Sequence, residues 1–170
     1  LYKRSLSFDN NELSVTKTSG KAFRKWHQTF AVWIKDDAEN PFRLYKNIIN
    51  DIKTRLINAP ENLTPIFAVE GGSVIEDKPD RLEVLKKDGV KLFTLTWNGE
   101  NRIAGGCKTD KDLTDFGIKA INRLNRLKIG CDLSHLNRKS FYSAIGYAEF
   151  PLATHSNCYE ICSHPRNLTL

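Results

Sequence analysis

The sequence predicts an α/β protein with parallel strands, and three observations carry that expectation. Five short apolar runs, at 30–34, 66–69, 92–97, 129–135 and 151–155, are separated by stretches with helical periodicity. Their starts lie about 20 to 40 residues apart, a spacing that suits repeated β/α units. Four of the five runs place a polar or aromatic residue at or just past their C-terminal end, namely Glu70, Trp97, His135 and His155. Strand ends of that kind converge on one mouth in parallel α/β folds, so the pattern favours a metal-dependent hydrolase.

The elements follow in order. Residues 1–20 are polar and rich in breakers, with Asp9-Asn10-Asn11 and Ser19-Gly20, and read as a connecting loop. Phe30 to Ile34 is the first strand, preceded by Gln28. Asn40-Pro41 then starts a helix, since proline is tolerated in a first turn, and Phe42, Tyr45, Ile49, Ile52 and Leu56 form its apolar stripe. Ile66 to Val69 is the second strand, ended by Gly71-Gly72. A short helix over 79–88 turns Leu82 and Leu85 inward, and Leu92 to Trp97 is the third strand.

The segment from Asn98-Gly99 to Gly105-Gly106 is a loop long enough to cover a site. Thr114, with Asp115 in the first turn, caps a helix whose Ile118, Ile121, Leu124 and Leu127 face the core. Gly130 admits the chain to a strand over 129–135. A helix over 139–145, a strand over 151–155 and a helical segment over 157–162 complete the pattern.

Composition bounds the class. The chain has 170 residues, 40% apolar and 27% charged, which is ordinary for a globular domain and excludes disordered or collagen-like chains. A closed eight-unit barrel usually needs about 250 residues. The chain therefore reads as part of one, a single incomplete domain over 1–170. Its apolar runs are too short to span a bilayer. Cys107, Cys131, Cys158 and Cys162 do not make a disulfide framework and read as free thiols of a cytoplasmic protein, although a leader upstream of Leu1 is compatible with the sequence. Of the +6 formal charge, most lies in residues 1–58, with 11 Lys+Arg against 6 Asp+Glu. Its local source is Lys17, Lys21, Arg24 and Lys25 beside Trp26, a cluster that reads as solvated loop in preference to a nucleic-acid surface.

Glu70, His135 and His155 are the candidate metal ligands. Carboxylate and neutral imidazole are what Zn²⁺ accepts in catalytic sites, and these three sit on separate strand ends. Taken singly, each His reads more often as a structural or surface histidine and Glu70 as a loop carboxylate; their shared placement is the signal.

Six segments extend it. Ala68-Val69-Glu70-Gly71-Gly72, Leu95-Thr96-Trp97-Asn98, Leu113-Thr114-Asp115-Phe116-Gly117, Asp132-Leu133-Ser134-His135, Thr154-His155-Ser156 and His164-Pro165-Arg166-Asn167 occur in the order and spacing that resembles the membrane dipeptidase (renal dipeptidase) family of zinc peptidases, in its bacterial form. The resemblance implies a TIM-type (β/α)₈ barrel, here partial, with about five to six β/α units and the first strand and last units missing. It implies a zinc-dependent dipeptidase acting through a metal-activated water.

By the same resemblance Glu70 is the catalytic, bridging ligand of two zinc ions, His135 and His155 bind one of them, and Arg166 holds the free carboxylate of a dipeptide. A guanidinium suits that role because it meets a carboxylate with two parallel hydrogen bonds. Trp97 stands where mammalian members have a histidine, and is expected to shape the substrate pocket wall. The family's first strand also supplies a His and an Asp two residues apart, and a later strand another Asp; neither motif is present. His27 and His164 are expected at the surface. With three of the five ligands implied, the chain is expected to hold one Zn²⁺ at most. Expected partners are a dipeptide and, for assembly, a second copy as a homodimer, with neither nucleic acid nor a membrane span. The alternatives are a barrel hydrolase acting on a cyclic imide or lactam, and a non-catalytic binding module using the basic N-terminal third.

Overall fold

The computed structural model describes residues 25–169. The expected N-terminal loop and Lys17, Lys21 and Arg24 of the basic cluster lie outside them. Five parallel strands form one sheet in sequential order: β1 (Trp26–Trp33), β2 (Leu63–Glu70), β3 (Val90–Thr94), β4 (Gly130–Asp132) and β5 (Pro151–Leu152). Four α-helices connect them: α1 (Pro41–Leu56), α2 (Arg81–Lys87), α3 (Asp115–Leu127) and α4 (Arg138–Ile145). This is the partial (β/α) barrel the sequence predicts, with β1 and β5 at the edges of the sheet.

Alternation along the strands sorts side chains between two faces. Val32, Val69, Phe93 and Cys131 are fully buried on the helix side, where they meet Ile49 and Ile52 of α1 and Ile121 and Leu124 of α3 in one core cluster. Burying each such side chain contributes roughly 1.5–3 kcal/mol. The opposite parity, with Ala31, Ala68, Leu92 and Thr94, lines an open cavity of about 550 Å³.

Local signals explain the helix ends. Pro41 occupies the first turn of α1. The Thr114 hydroxyl accepts from Gly117 N at 2.9 Å and caps α3, while Asn137 Oδ1 accepts from Ser140 N at 2.8 Å at the start of α4. Asp88, just past α2, accepts from the Tyr45 hydroxyl at 3.0 Å and from Lys46 Nζ at 2.8 Å, which ties α2 to α1.

The differences from expectation are at the element ends. β1 begins four residues earlier, because Trp26 to Thr29 pair with Leu63 to Ile66 although His27, Gln28 and Thr29 are polar. β3 and β4 stop at Thr94 and Asp132, and β5 is two residues long, so Trp97, His135 and His155 sit beyond the ladders. Residues 157–162 form turns and not a helix: Tyr159 N and Leu168 N bond to Leu168 O and Asn157 O, closing a loop on itself. In α3 the buried stripe runs through Ala120, Ile121 and Leu124, with Ile118 and Leu127 half-buried at its margins. No helix among the described residues is long and apolar enough to cross a membrane.

Candidate metal centre

Register builds the site. Trp33 pairs with Glu70, Glu70 with Thr94, Thr94 with Asp132 and Asp132 with Leu152, so one row of residues crosses the sheet at its C-terminal edge. Glu70 ends β2 in that row. The next residue, Gly71, has φ +108°, and a Cβ there would lie 2.2 Å from Ile34 O. Only glycine lets the chain turn away beneath β1 and leave the Glu70 side chain at the mouth.

His135 and His155 lie three residues beyond the ends of β4 and β5. His135 is a non-glycine residue at φ +74°, a costly conformation held by its surroundings, with His135 O accepting from Cys107 N at 2.8 Å. Its side chain is 3% exposed, that of Glu70 23% and that of His155 43%.

The three side chains converge. Glu70 Oε1 is 2.8 Å from His135 Nε2 and 3.5 Å from His155 Nε2. The two Nε2 atoms are 2.8 Å apart. One ligand atom from each residue lies within 4.8 Å of the others, the one such grouping of three or more His, Cys, Asp or Glu among the described residues.

Hydrogen bonding decides which ring nitrogens carry protons. His135 Nδ1 faces Asn98 Oδ1 at 3.0 Å, an acceptor that also takes the Cys107 thiol at 3.4 Å, so Nδ1 of His135 donates. His155 Nδ1 faces the Thr154 hydroxyl at 2.7 Å. That hydroxyl donates its proton to Asp132 Oδ2 at 2.6 Å, so it accepts from His155 Nδ1. Both imidazoles therefore point Nε2 lone pairs at the Glu70 carboxylate. Three acceptors with no donor among them are mutually repulsive until a cation sits between them. This donor set fits a divalent metal.

Burial raises the Glu70 carboxyl; in the protonated form of the two rings the His135 hydrogen bond and the charges of His135 and His155, with that of Arg166, outweigh burial and hold it below the usual range. Asp132 is 2% exposed. Burial raises its carboxyl too, and bonds from Thr154, Ser134 and Thr94 outweigh that and keep it low. Asp36 differs: burial pushes its carboxyl up although Gly99 N and Trp97 N donate to it, at 2.7 and 3.3 Å. Through those two bonds it clamps the loop after β3 to the end of β1.

Arg166 and Trp97 complete the cavity lining. The loop over 157–168 folds back so that Arg166 Nη2 donates to His155 O at 3.1 Å, while Arg166 Nε is buried with no hydrogen-bond partner among the described residues. Trp97 packs edge-on against Trp33 with ring centroids 5.1 Å apart and stands 6.3 Å from the His135 ring. His27 and His164 are exposed, away from the three converging side chains, although His164 Nδ1 accepts from Arg166 N at 3.3 Å. All four cysteines are free, and burial pushes the Cys131 thiol up to about 12.

Four supporting residues escape a reading of the sequence alone: Asp132, Thr154, Asn98 and Asp36. Asp132 had a signal, an ionisable residue between Cys131 and Leu133 inside an apolar run. Asn98 and Thr154 stand within two of the six segments without a sign of their roles, and Asp36 had no signal; each is placed by a bond to a residue distant in the chain, His135, Asp132 and Gly99 respectively.

The profile of the family described as membrane dipeptidase (peptidase family M19) matches residues 30–169. A protein in the pqqA 5′ region of Klebsiella pneumoniae is 34% identical over 116 residues, 63% of this chain and 43% of that one. A dipeptidase of Schizosaccharomyces pombe is 32% identical over 87 residues, 47% of this chain and 21% of that one. Among solved structures, an amidohydrolase from Pseudomonas aeruginosa is similar with TM-score 0.71 and 24% identity, over 95% of this chain and 54% of that one. A metallopeptidase from Rhodobacter sphaeroides, bound to a phosphinate mimic of L-Ala-D-Ala, is similar with TM-score 0.69 and 19% identity, over 91% of this chain and 59% of that one. The chain spans 43% and 38% of the first two curated relatives it matches. With its profile match running from β1 to the Arg166 loop, this chain belongs to the membrane dipeptidase family.

Proposed function

We propose that the protein is a metal-dependent dipeptidase, that the chain forms one barrel-type domain, and that Glu70, His135 and His155 hold Zn²⁺. The observation that carries the reading is the meeting of Glu70 Oε1 with the Nε2 atoms of His135 and His155, each imidazole oriented to offer a lone pair. A cation held there supplies Lewis acidity toward a carbonyl and acidifies a coordinated water.

The remaining roles belong to side chains. Glu70 supplies a carboxylate that balances the charge of the metal and orders its surroundings. Arg166 presents an unpaired, buried Nε beside the cavity, and its guanidinium grips the C-terminal carboxylate of the substrate. That contact fixes which carbonyl approaches the metal. Trp97 walls the pocket and excludes water from the scissile bond. The family, and a structural relative bound to a phosphinate mimic of a dipeptide, support this substrate class over a cyclic imide or lactam, neither of which carries the free terminal carboxylate that Arg166 suits.

The test is metal analysis of the purified protein combined with a panel of dipeptides, their C-terminal amides and a cyclic imide. Stoichiometric zinc with cleavage of the free dipeptides alone is the expected result. Cleavage of the cyclic imide in preference to dipeptides would overturn the substrate assignment, and absence of metal uptake would overturn the centre.

A further inference from the structure

Asp132 lines the cavity but hydrogen-bonds to none of the three candidate ligands, and four donors converge on it. Oδ1 accepts from Ser134 N and Thr154 N, both at 3.1 Å. Oδ2 accepts from the hydroxyls of Thr94 at 2.8 Å and Thr154 at 2.6 Å. Two of these donors are backbone N–H groups that cannot reverse, and Asp132 is almost wholly buried at the centre of the row that joins β3, β4 and β5. Such a carboxylate can only accept.

The consequence passes through one hydroxyl. Thr154 Oγ1 has a single proton and spends it on Asp132, so its lone pairs face His155 Nδ1 at 2.7 Å. Asp132 thereby sets the direction of a two-bond chain ending on a candidate ligand. A further bond, His155 N to Ser134 Oγ at 3.2 Å, holds the backbone at that point.

We propose that Asp132 is a positioning residue that acts through Thr154 to fix His155 as the Nδ1–H tautomer, leaving Nε2 free to bind a cation. The relay itself stands on hydrogen-bond geometry alone; its value to catalysis rests on the metallopeptidase reading. Reversing one bond would reverse the outcome. With asparagine at 132, the amide NH₂ can donate to Thr154 Oγ1, which then turns its proton toward His155 Nδ1 and drives the ring proton onto Nε2. That proton would lie in the place a metal needs.

The two readings separate experimentally. Imidazole ¹⁵N–¹H correlation spectra of the metal-free chain at about pH 8, where an ordinary imidazole is neutral, report the tautomer of His155 directly. Competition with a chromophoric chelator for Zn²⁺ reports affinity. The wild-type chain should show His155 protonated on Nδ1. Thr154→Ser, which keeps the hydroxyl, should match it in both measurements. Thr154→Val, close to isosteric without the hydroxyl, and Asp132→Asn should shift the proton to Nε2 and weaken Zn²⁺ binding about 10- to 100-fold. An Nε2–H tautomer in the wild-type chain would overturn the relay, and that measurement needs no variant to fold. So would an unchanged tautomer in Thr154→Val. An Nδ1–H wild-type tautomer in a chain that takes up no Zn²⁺ would support the relay and overturn the metal centre instead.

Discussion

His135 and His155 face each other Nε2 to Nε2 at 2.8 Å, and neither nitrogen has a proton to share. Their Nδ1 protons are committed to Asn98 and Thr154, and the Glu70 carboxylate adds a third acceptor. Binding a cation there converts repulsion into coordination. Zn²⁺ at 100 times its dissociation constant should stabilise the fold by about 2.7 kcal/mol, a rise in Tm of roughly 5–10 °C by differential scanning fluorimetry. Glu70→Gln and His135→Ala should abolish both that rise and any hydrolysis. A zinc-dependent rise that survives in Glu70→Gln would place the ion elsewhere.

Arg166→Ala should leave zinc content intact and lower kcat/KM for dipeptides about 10- to 100-fold, the loss expected for a charge-assisted hydrogen bond to a carboxylate. Dipeptide amides, which lack that carboxylate, should be nearly insensitive to the substitution. Steady-state kinetics on matched acids and amides separates the two; loss of zinc from Arg166→Ala would give Arg166 a structural role instead.

Asn98 orients His135 through its side-chain oxygen. Asn98→Ala should weaken Zn²⁺ binding about 10- to 100-fold, while Asn98→Asp, which keeps an acceptor at that place, should restore most of it. Isothermal titration of both variants checks the order; equal affinities would show that the bond to His135 does not matter.

Gly71→Ala puts a Cβ against Ile34 O at a φ of +108°. Relief requires β1 and β2 to separate where they carry the site. A loss of about 2–4 kcal/mol is expected, seen as a fall in Tm of roughly 5–10 °C in thermal melts. An unchanged Tm would mean that the turn relaxes freely.

Acid should release the contact between α1 and α2. Burial raises the Asp88 carboxyl, but Lys46 and Tyr45, with the charge of Lys53, outweigh it and hold it below its ordinary value. A depressed folded-state pKa means stabilisation fully present above the ordinary carboxylate value of about 4 and lost as pH falls through the lower folded value. Asp88→Asn should therefore be less stable than wild type at neutral pH, with the gap narrowing over that acid window. Melting curves as a function of pH test this, and a gap independent of pH would exclude the charge as its cause.

How far the sequence alone reached depends on how local each cause is. Strand and helix order was legible because polarity at Phe30–Ile34 or Pro41–Leu56 is a property of neighbouring residues. Element ends were not: β4 closes at Asp132 because its partner strands end, and residues 157–162 close a loop through Leu168 where the sequence predicts a helical segment. The Glu70, His135 and His155 grouping came from their shared position after apolar runs and from the six segments resembling the family.

What the sequence determined by itself is the parallel α/β class, the order of its units and the residues at the strand ends. The tertiary structure alone decided the register that sets Glu70, Thr94 and Asp132 side by side, the proton on each imidazole, and the clamp from Asp36 to Gly99 across 63 residues. The division has a physical cause. Periodicity is written into consecutive side chains, whereas hydrogen bonds between strand ends exist only after each crossover helix has brought distant segments to the same edge of the sheet.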